Sequence, residues 1–187
     1  MLLALGTAAA AGLMHGQRLV AASPPPVHRI LDVPLAEKNS NWCGPAALAA
    51  VLNYHGETVS AQEIAEKIYL PHHRGSLNLD LLIYAREHGF EACAGEGSGA
   101  TLKEAVSRDR PVVCMVRKRS LLVSRNHFVV VRGYDAQNEV WFIDSGNGKE
   151  ETVTGRDFLR GWQDCGNWML VVEQRKTAES GESDATD

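Results

Sequence analysis

Every side chain from Ala46 to Leu52 is apolar, and this stretch constrains the fold more than any other. Pro45 suits the first turn of a helix, where a backbone N–H has no helical partner. Gly56 suits the residue that follows a helix end. The stretch therefore predicts a helix from Cys43 to His55. A helix without a polar face must be buried nearly all round, so the rest of the chain has to cover it.

Further helix signals follow in the first half of the chain. Ser60 and Glu63 have the spacing of a capping box at the start of "SAQEIAEKIY". Gly89 ends the segment "NLDLLIYAREHG" in the same way as Gly56. The segment "TLKEAVSRDRP" has capping-box spacing between its threonine, Thr101, and Glu104.

The second half of the chain changes to β-branched and aromatic runs, which favour strands. These runs are 111–117, 127–134, 140–146 and 168–173. The segment "DAQNE" joins the second and third runs and predicts a hairpin. Helices followed by antiparallel strands indicate an α+β fold. We expect two lobes with a cleft between them.

Composition limits the class of function. The 187 residues carry a formal net charge of -4, whereas a nucleic-acid-binding domain normally shows a basic face. We therefore expect no nucleic-acid partner. The four cysteines form no CxxC pair, so neither a zinc site nor another metal or cofactor is expected. Cys93 and Cys114 each lie in a short apolar run and are either bridged strand neighbours or, the better interpretation, two buried small hydrophobes.

The two ends of the chain differ from the middle. We interpret residues 1–22 as a signal peptide or N-terminal anchor, because an apolar run precedes small residues suited to cleavage. This predicts an exported protein, periplasmic or extracellular, with possible membrane proximity through the N-terminus. We interpret residues 23–29 as a proline-rich spacer and residues 175–187 as a disordered acidic tail. The folded domain is predicted over 30–174.

Cys43 lies at the entrance of the apolar helix rather than inside it. At this position the thiol meets free backbone N–H groups and the positive end of the helix dipole, which predicts a lowered cysteine pKa. Gly44 allows a substrate carbonyl to approach the backbone, and the N–H of Cys43 can donate to an oxyanion. The pattern is typical of a nucleophilic cysteine positioned at a helix N-terminus, although an inert cysteine at a helix cap remains the alternative.

A cysteine nucleophile needs a base, and His127 is the best candidate. It opens the apolar strand "NHFVVV", where a core would favour another hydrophobe. Asp144 closes the next strand, "VWFID", and the hairpin brings it within a few residue pairs of His127. A carboxylate there can hold one imidazole nitrogen so that the other faces the thiol.

Basic and histidine-containing segments near these positions leave alternatives open. His72 and His73 lie in a loop with Arg74 that is either close to the cleft or simply solvated. They make a poor metal pair, because adjacent side chains diverge. The segment 117–120 together with Arg125 either meets an acidic peptide or forms a solvated loop.

The segments "WCGPAALAAVLNYHG", "NHFVVVRGYD" and "WFIDSG" together resemble the C39-like cysteine peptidases, a papain-fold group. The resemblance implies a helical lobe packed on an antiparallel sheet, with Cys43 as nucleophile, His127 as general base and Asp144 as orienting residue. It also implies peptide-bond hydrolysis through an acyl-thioester, without a cofactor. Members that process bacteriocin leaders cut after paired glycines and are often fused to an ABC exporter. No exporter is present in this sequence, so a double-glycine substrate is not expected to carry over.

One position departs from the family pattern. Members place a glutamine about six residues before the cysteine, where its side chain donates to the oxyanion, but Glu37 occupies this offset. An ionised carboxylate would repel an oxyanion, so Glu37 is protonated, turned away, or replaced in this role by Asn39. Losing one such donor typically lowers the rate about 100- to 1,000-fold.

The sequence therefore predicts a cysteine peptidase with a peptide or protein substrate. Two other interpretations remain open: a catalytically silent C39-like domain that binds peptides, and another thiol-dependent acyl transfer of amidase or transglutaminase type.

Overall fold

The computed structural model describes residues 28–35, 42–119, 124–144 and 149–175. The five α-helices of these ranges are α1 Cys43–Tyr54, α2 Ala61–Ile68, α3 Asn78–Glu87, α4 Gly99–Ser107 and α5 Gly155–Gln163, with a short 3₁₀ helix at Pro71–His73. The strands are β1 His28–Ile30, β2 Phe90–Glu96, β3 Val112–Arg119, β4 Ser124–Asp135, β5 Val140–Asp144, β6 Glu150–Thr154 and β7 Trp168–Gln174. The predicted signal peptide and all of the predicted tail after Arg175 lie outside the described residues.

The strands form one antiparallel sheet in the order β2-β7-β3-β4-β5-β6, and β1 pairs with β4. The predicted hairpin between β4 and β5 is confirmed. The α+β class is also confirmed. However, the two halves are not a purely helical and a purely β part, because β2 from the first half forms an edge of the sheet beside β7.

Helix α1 is the centre of the fold, as its apolar sequence predicts. Its residues from Gly44 to Leu52 are all buried. A Cβ added to Gly44 would lie 3.2 Å from Cδ2 of Phe128, so the start of α1 lies close against β4. Glycine at this position therefore allows the helix and the sheet to approach.

Most helix ends agree with the sequence signals. The capping box of Ser60 and Glu63 is present, and Gly56 and Gly89 adopt positive φ angles after α1 and α3. The predicted capping box of Thr101 with Glu104 is wrong. Ser98 caps α4 instead: its hydroxyl accepts from the backbone N–H of Thr101, whose own hydroxyl accepts from the N–H of Ser98 at 2.7 Å. Because the helix begins earlier, Thr101 is the third residue of the box rather than the first.

Cys93 and Cys114 are not bridged strand neighbours, and the preferred interpretation of two buried small hydrophobes holds for Cys114 only. Cys93 on β2 pairs with Val171, and Cys114 on β3 pairs with Met169, so β7 separates the two cysteines. Both thiols are free. Cys114 is buried as expected, whereas Cys93 is exposed because β2 is an edge strand.

Candidate active site

The start of α1 presents unpaired backbone donors beside the Cys43 thiol. The N–H of Ala46 donates to the carbonyl oxygen of Trp42 at 2.8 Å, and Pro45 has no N–H. The remaining donors of the first turn are the N–H groups of Cys43 and Gly44, and both face the thiol. This is the helix N-terminus that the sequence predicts at the cysteine.

The opposite side of the thiol contacts β4. The backbone N–H of Phe128 also faces the Cys43 sulfur, so the thiol lies against the amide that joins His127 to Phe128. The contact depends on the close packing of Gly44 against the Phe128 ring. Helix α1 and strand β4 together therefore hold the thiol between backbone donors from two elements.

The pKa of the Cys43 thiol shows a balance of opposing effects. Burial is the largest and raises the pKa, while the N–H groups of Phe128, Gly44 and Cys43 and the positive charge of Lys118 lower it. The net direction is upward. The prediction of a lowered pKa is therefore wrong, because it considered the helix N-terminus and left out desolvation.

The two other members of the predicted triad lie on adjacent strands. His127 is half-buried on β4 opposite Val116 of β3. Asp144 is the last residue of β5, is only 1% exposed, and pairs with Val130, a few residues along β4 from His127. The strand register thus places the two residues three positions apart along the hairpin, and the triad itself stays a prediction.

The predicted oxyanion residues Glu37 and Asn39 lie outside the described residues. In the described part of the chain, the N–H groups of Cys43 and Gly44 are the helix-start donors that interact with the thiol, and backbone donors of this kind can stabilise an oxyanion. Among the described residues, no three His, Cys, Asp or Glu side chains cluster closely enough to hold a metal ion.

A cleft with a volume of about 890 Å³ opens beside Cys43. The segment 73–79 forms one wall, and side chains of β3 and β4 form the other. Asn126 and Phe128 line it, whereas His127, which lies between them on an alternating strand, does not. Cys43 both lines the cleft and contacts the N–H of Phe128.

Sequence reasoning missed several residues of this cleft. Phe128 was not singled out, although its position directly after His127 is a usable signal. Ser76 and Leu77 carried no signal, because a polar loop residue and an exposed leucine are common at any surface. The loop with His72 and His73 lies close to the cleft, because His73 lines it. His72 is not among the lining residues.

Solved structures with the same fold include several bacterial peptidase domains. A protein from Bacillus anthracis described as a C39-like peptidase has 20% sequence identity and a TM-score of 0.64, covering 80% of this chain and 99% of its own. A double glycine motif protease from an AMS/PCAT transporter, in complex with the leader peptide, has 22% identity and a TM-score of 0.62, covering 78% and 94%. The peptidase domain of Streptococcus ComA, a bifunctional ABC transporter involved in quorum sensing, has 20% identity and a TM-score of 0.59, covering 79% and 98%. These similarities confirm the papain-like α+β fold.

Among curated proteins, none matches the chain. In the described part of the chain, no helix is both long enough and apolar enough to cross a membrane.

The family model described as Peptidase_C39 like matches residues 30–169, which is most of the chain. The residues that suggested this family, at the start of α1 and along β4 and β5, all lie within the matched range. The chain therefore belongs to the Peptidase_C39 like family.

Proposed function

We propose that the protein is a cysteine peptidase that hydrolyses peptide bonds through an acyl-thioester on Cys43. The observation that carries the proposal is the position of the Cys43 thiol. It lies at a helix N-terminus, borders an open cleft, and contacts the amide that follows His127. Family membership and the fold support peptidase chemistry at this position.

The raised pKa of Cys43 determines how the first step would run. A thiol that keeps its proton at neutral pH needs a base at the moment of attack, in the manner of a serine nucleophile. We assign this role to His127, which directly precedes the Phe128 amide beside the thiol. Because its side chain is not among the lining residues of the cleft, the imidazole has to turn toward the sulfur for the transfer. The sulfur attacks the scissile carbonyl carbon while the imidazole takes the thiol proton, and the N–H groups of Cys43 and Gly44 donate to the developing oxyanion.

The second half of the reaction uses the same groups. The imidazolium of His127 returns its proton to the leaving amine, which departs and leaves the acyl group on sulfur. Water then attacks the thioester carbon while His127 takes a proton from it. The C–S bond breaks, the N-terminal product leaves as the free acid, and the imidazolium returns the proton to the Cys43 sulfur. Asp144 is assigned the role of orienting the imidazole, which its burial on the neighbouring strand supports.

A peptide-binding domain without activity is the second candidate. The raised pKa of Cys43 and the presence of Glu37 at the offset of the family glutamine both favour it. One solved relative holds a leader peptide, so peptide binding is compatible with this fold whether or not the bond is cut.

The two candidates are separated by cleavage of a fluorogenic peptide library with purified protein. We expect slow cleavage that disappears in Cys43→Ala and persists in Cys93→Ala. Cys93 is the matched control because it is an exposed free thiol on an edge strand away from the cleft. No cleavage by the wild type, or equal cleavage by Cys43→Ala, would refute the peptidase proposal.

A further inference from the structure

The cleft beside Cys43 is strongly basic in a chain that is acidic as a whole. Arg74, Arg117 and Arg125 line it, and none of its described lining residues is an aspartate or glutamate. The whole chain has a formal net charge of -4. The positive charge of the cleft is therefore a local feature and not a reflection of the overall composition.

Strands β3 and β4, which carry Arg117 and Arg125, also carry basic residues that form ion pairs with acidic side chains. Arg119 pairs with Asp164 at 2.7 Å and Lys118 with Glu151 at 3.4 Å. Arg132 pairs with Glu150. Arg117 and Arg125 form no such ion pair with a described residue, although they belong to the same strands. Among the described residues of β3 and β4, the cationic side chains without an ion pair are those that line the cleft.

Arg117 is the best placed of the three arginines. It is half-buried on β3, opposite Asn126, and thus one residue pair from His127. Its Nε atom is buried without a hydrogen-bond partner, while its guanidinium reaches the Cys165 thiol. A buried donor without a partner costs free energy unless a ligand supplies the acceptor.

The opposite wall has a second unpartnered group. The Ser76 hydroxyl oxygen is buried without a hydrogen-bond partner and lies in the same cleft. Arg74, beside it, ends the 3₁₀ helix in a left-handed conformation, and a backbone bridge between Leu70 and Gly75 closes the turn around it. The turn therefore fixes the backbone from which Arg74 extends.

We infer that the substrate peptide carries a carboxylate within a few residues of the scissile bond, and that Arg117, with Arg125 and Arg74, binds it. The inference rests on the proposed function for the position of the scissile bond. The planar guanidinium group offers paired donors that match a carboxylate, and hydrogen bonds to charged groups are the stronger ones. In a peptide this carboxylate belongs either to an Asp or Glu side chain or to the free C-terminus.

The test uses acetylated, amidated decapeptide libraries in which one position at a time is Glu, each with a matched library that has Gln there. Cleavage is measured with the wild type and binding with Cys43→Ala. A third set keeps Gln but has a free C-terminus. We expect one or two Glu positions, or the free C-terminus, to raise both cleavage and affinity roughly tenfold, and the set that responds identifies the source of the carboxylate.

The arginines are then tested individually in the Cys43→Ala background. Arg117→Gln should remove most of the preference, whereas Arg117→Lys should keep part of it. Arg74 and Arg125 are exposed, so Arg74→Gln and Arg125→Gln should each reduce the preference for Glu about two- to fivefold. Arg156→Gln is the matched control, since Arg156 is exposed and lines a different cavity. Added salt should reduce the preference in the wild type but not in Arg117→Gln.

The outcomes separate this inference from the proposed function. Equal binding of Glu, Gln and free C-terminal peptides, or no measurable binding of any, overturns the inference even if cleavage occurs. A preference that survives loss of all three arginines also overturns it. Preferential binding without any Cys43-dependent cleavage supports carboxylate recognition and overturns the peptidase proposal instead.

Discussion

The floor of the cleft, formed by Cys43 and Phe128 with Gly44 packed behind them, differs in construction from its rim, formed by Arg74, Leu77, Leu79 and Arg125. The floor consists of a helix start pressed onto a strand, with Gly44 buried and Phe128 only 5% exposed. The rim consists of exposed side chains, among them Leu77 at 52% and Leu79 at 59%. Both regions border the same cavity.

This difference indicates how the two regions contribute to function. The thiol of the floor faces backbone N–H groups from two elements, so its position depends on how closely α1 packs against β4. The rim can change its side chains without moving any element. We therefore expect changes in the floor to affect catalysis and stability, and changes in the rim to affect substrate preference.

The largest effect is expected for His127→Ala. If His127 takes the thiol proton, its loss should lower kcat about 100- to 10,000-fold at neutral pH. His88→Ala is the control, since His88 is exposed at the end of α3. Steady-state cleavage of a fluorogenic peptide measures both variants. A loss of less than threefold in His127→Ala would remove this residue from the proposed mechanism.

The oxyanion donor gives the next largest effect. If Glu37 faces the oxyanion, Glu37→Gln restores a neutral N–H donor and should raise kcat roughly 10- to 1,000-fold. The wild-type rate should then increase as the pH falls and Glu37 becomes protonated, until His127 is charged.

If Asn39 already donates to the oxyanion, the pattern is reversed. Glu37→Gln should then change little, and Asn39→Ala should be the damaging substitution. Rates of both variants between pH 5 and 8 decide between the two residues. If neither variant changes the rate, the family glutamine has no functional replacement among these side chains.

The packing of the floor predicts a stability difference between floor and rim. The Cβ of Gly44→Val would lie 3.2 Å from Cδ2 of Phe128 and 3.4 Å from Cδ1 of Leu81, and the added methyl groups would overpack this contact. We expect Gly44→Val to lower the free energy of unfolding by about 1–3 kcal/mol. Leu79→Ala in the rim should change it by less than about 0.5 kcal/mol. Equal losses in urea unfolding would contradict the distinction.

The smallest effect concerns the titration of Cys43. Because burial raises the pKa of this thiol, its alkylation rate should reach half-maximum above the ~8.5 of a free cysteine. His127→Ala should then shift the midpoint little, since a neutral imidazole adds no charge beside the thiol. A wild-type midpoint well below 8.5 that rises in His127→Ala would instead show a preformed thiolate–imidazolium pair.

The sequence was sufficient for the parts of the fold that local patterns determine. The apolar run of α1 required burial, and Ser60 with Glu63 marked the start of α2. Strand β6 and helix α5 were missed. The alternating "EETVT" of β6 has no large apolar face, and its pairing with β5 is a long-range contact. The domain itself begins slightly before the predicted Ile30, because β1 pairs with β4 from His28 onward.

The candidate site, too, could be predicted only where local sequence patterns determine it. Cys43, His127 and Asp144 could be selected because each interrupts or borders an apolar pattern. The burial that raises the pKa of Cys43, and the cleft that gathers Arg74 with Arg117, depend on how distant segments pack together. No local signal in the sequence reports these properties.

The central claim, that Cys43 is an acylating nucleophile, is tested most directly by intact-protein and peptide-fragment mass spectrometry after rapid acid quenching of a cleavage reaction. We expect a wild-type adduct with the mass of the N-terminal peptide product minus one water, located on Cys43 and absent from Cys93, Cys114 and Cys165. The adduct should be missing in Cys43→Ala and lost on treatment with hydroxylamine, which cleaves thioesters. Peptide cleavage without any adduct on Cys43, persisting in Cys43→Ala, would contradict it.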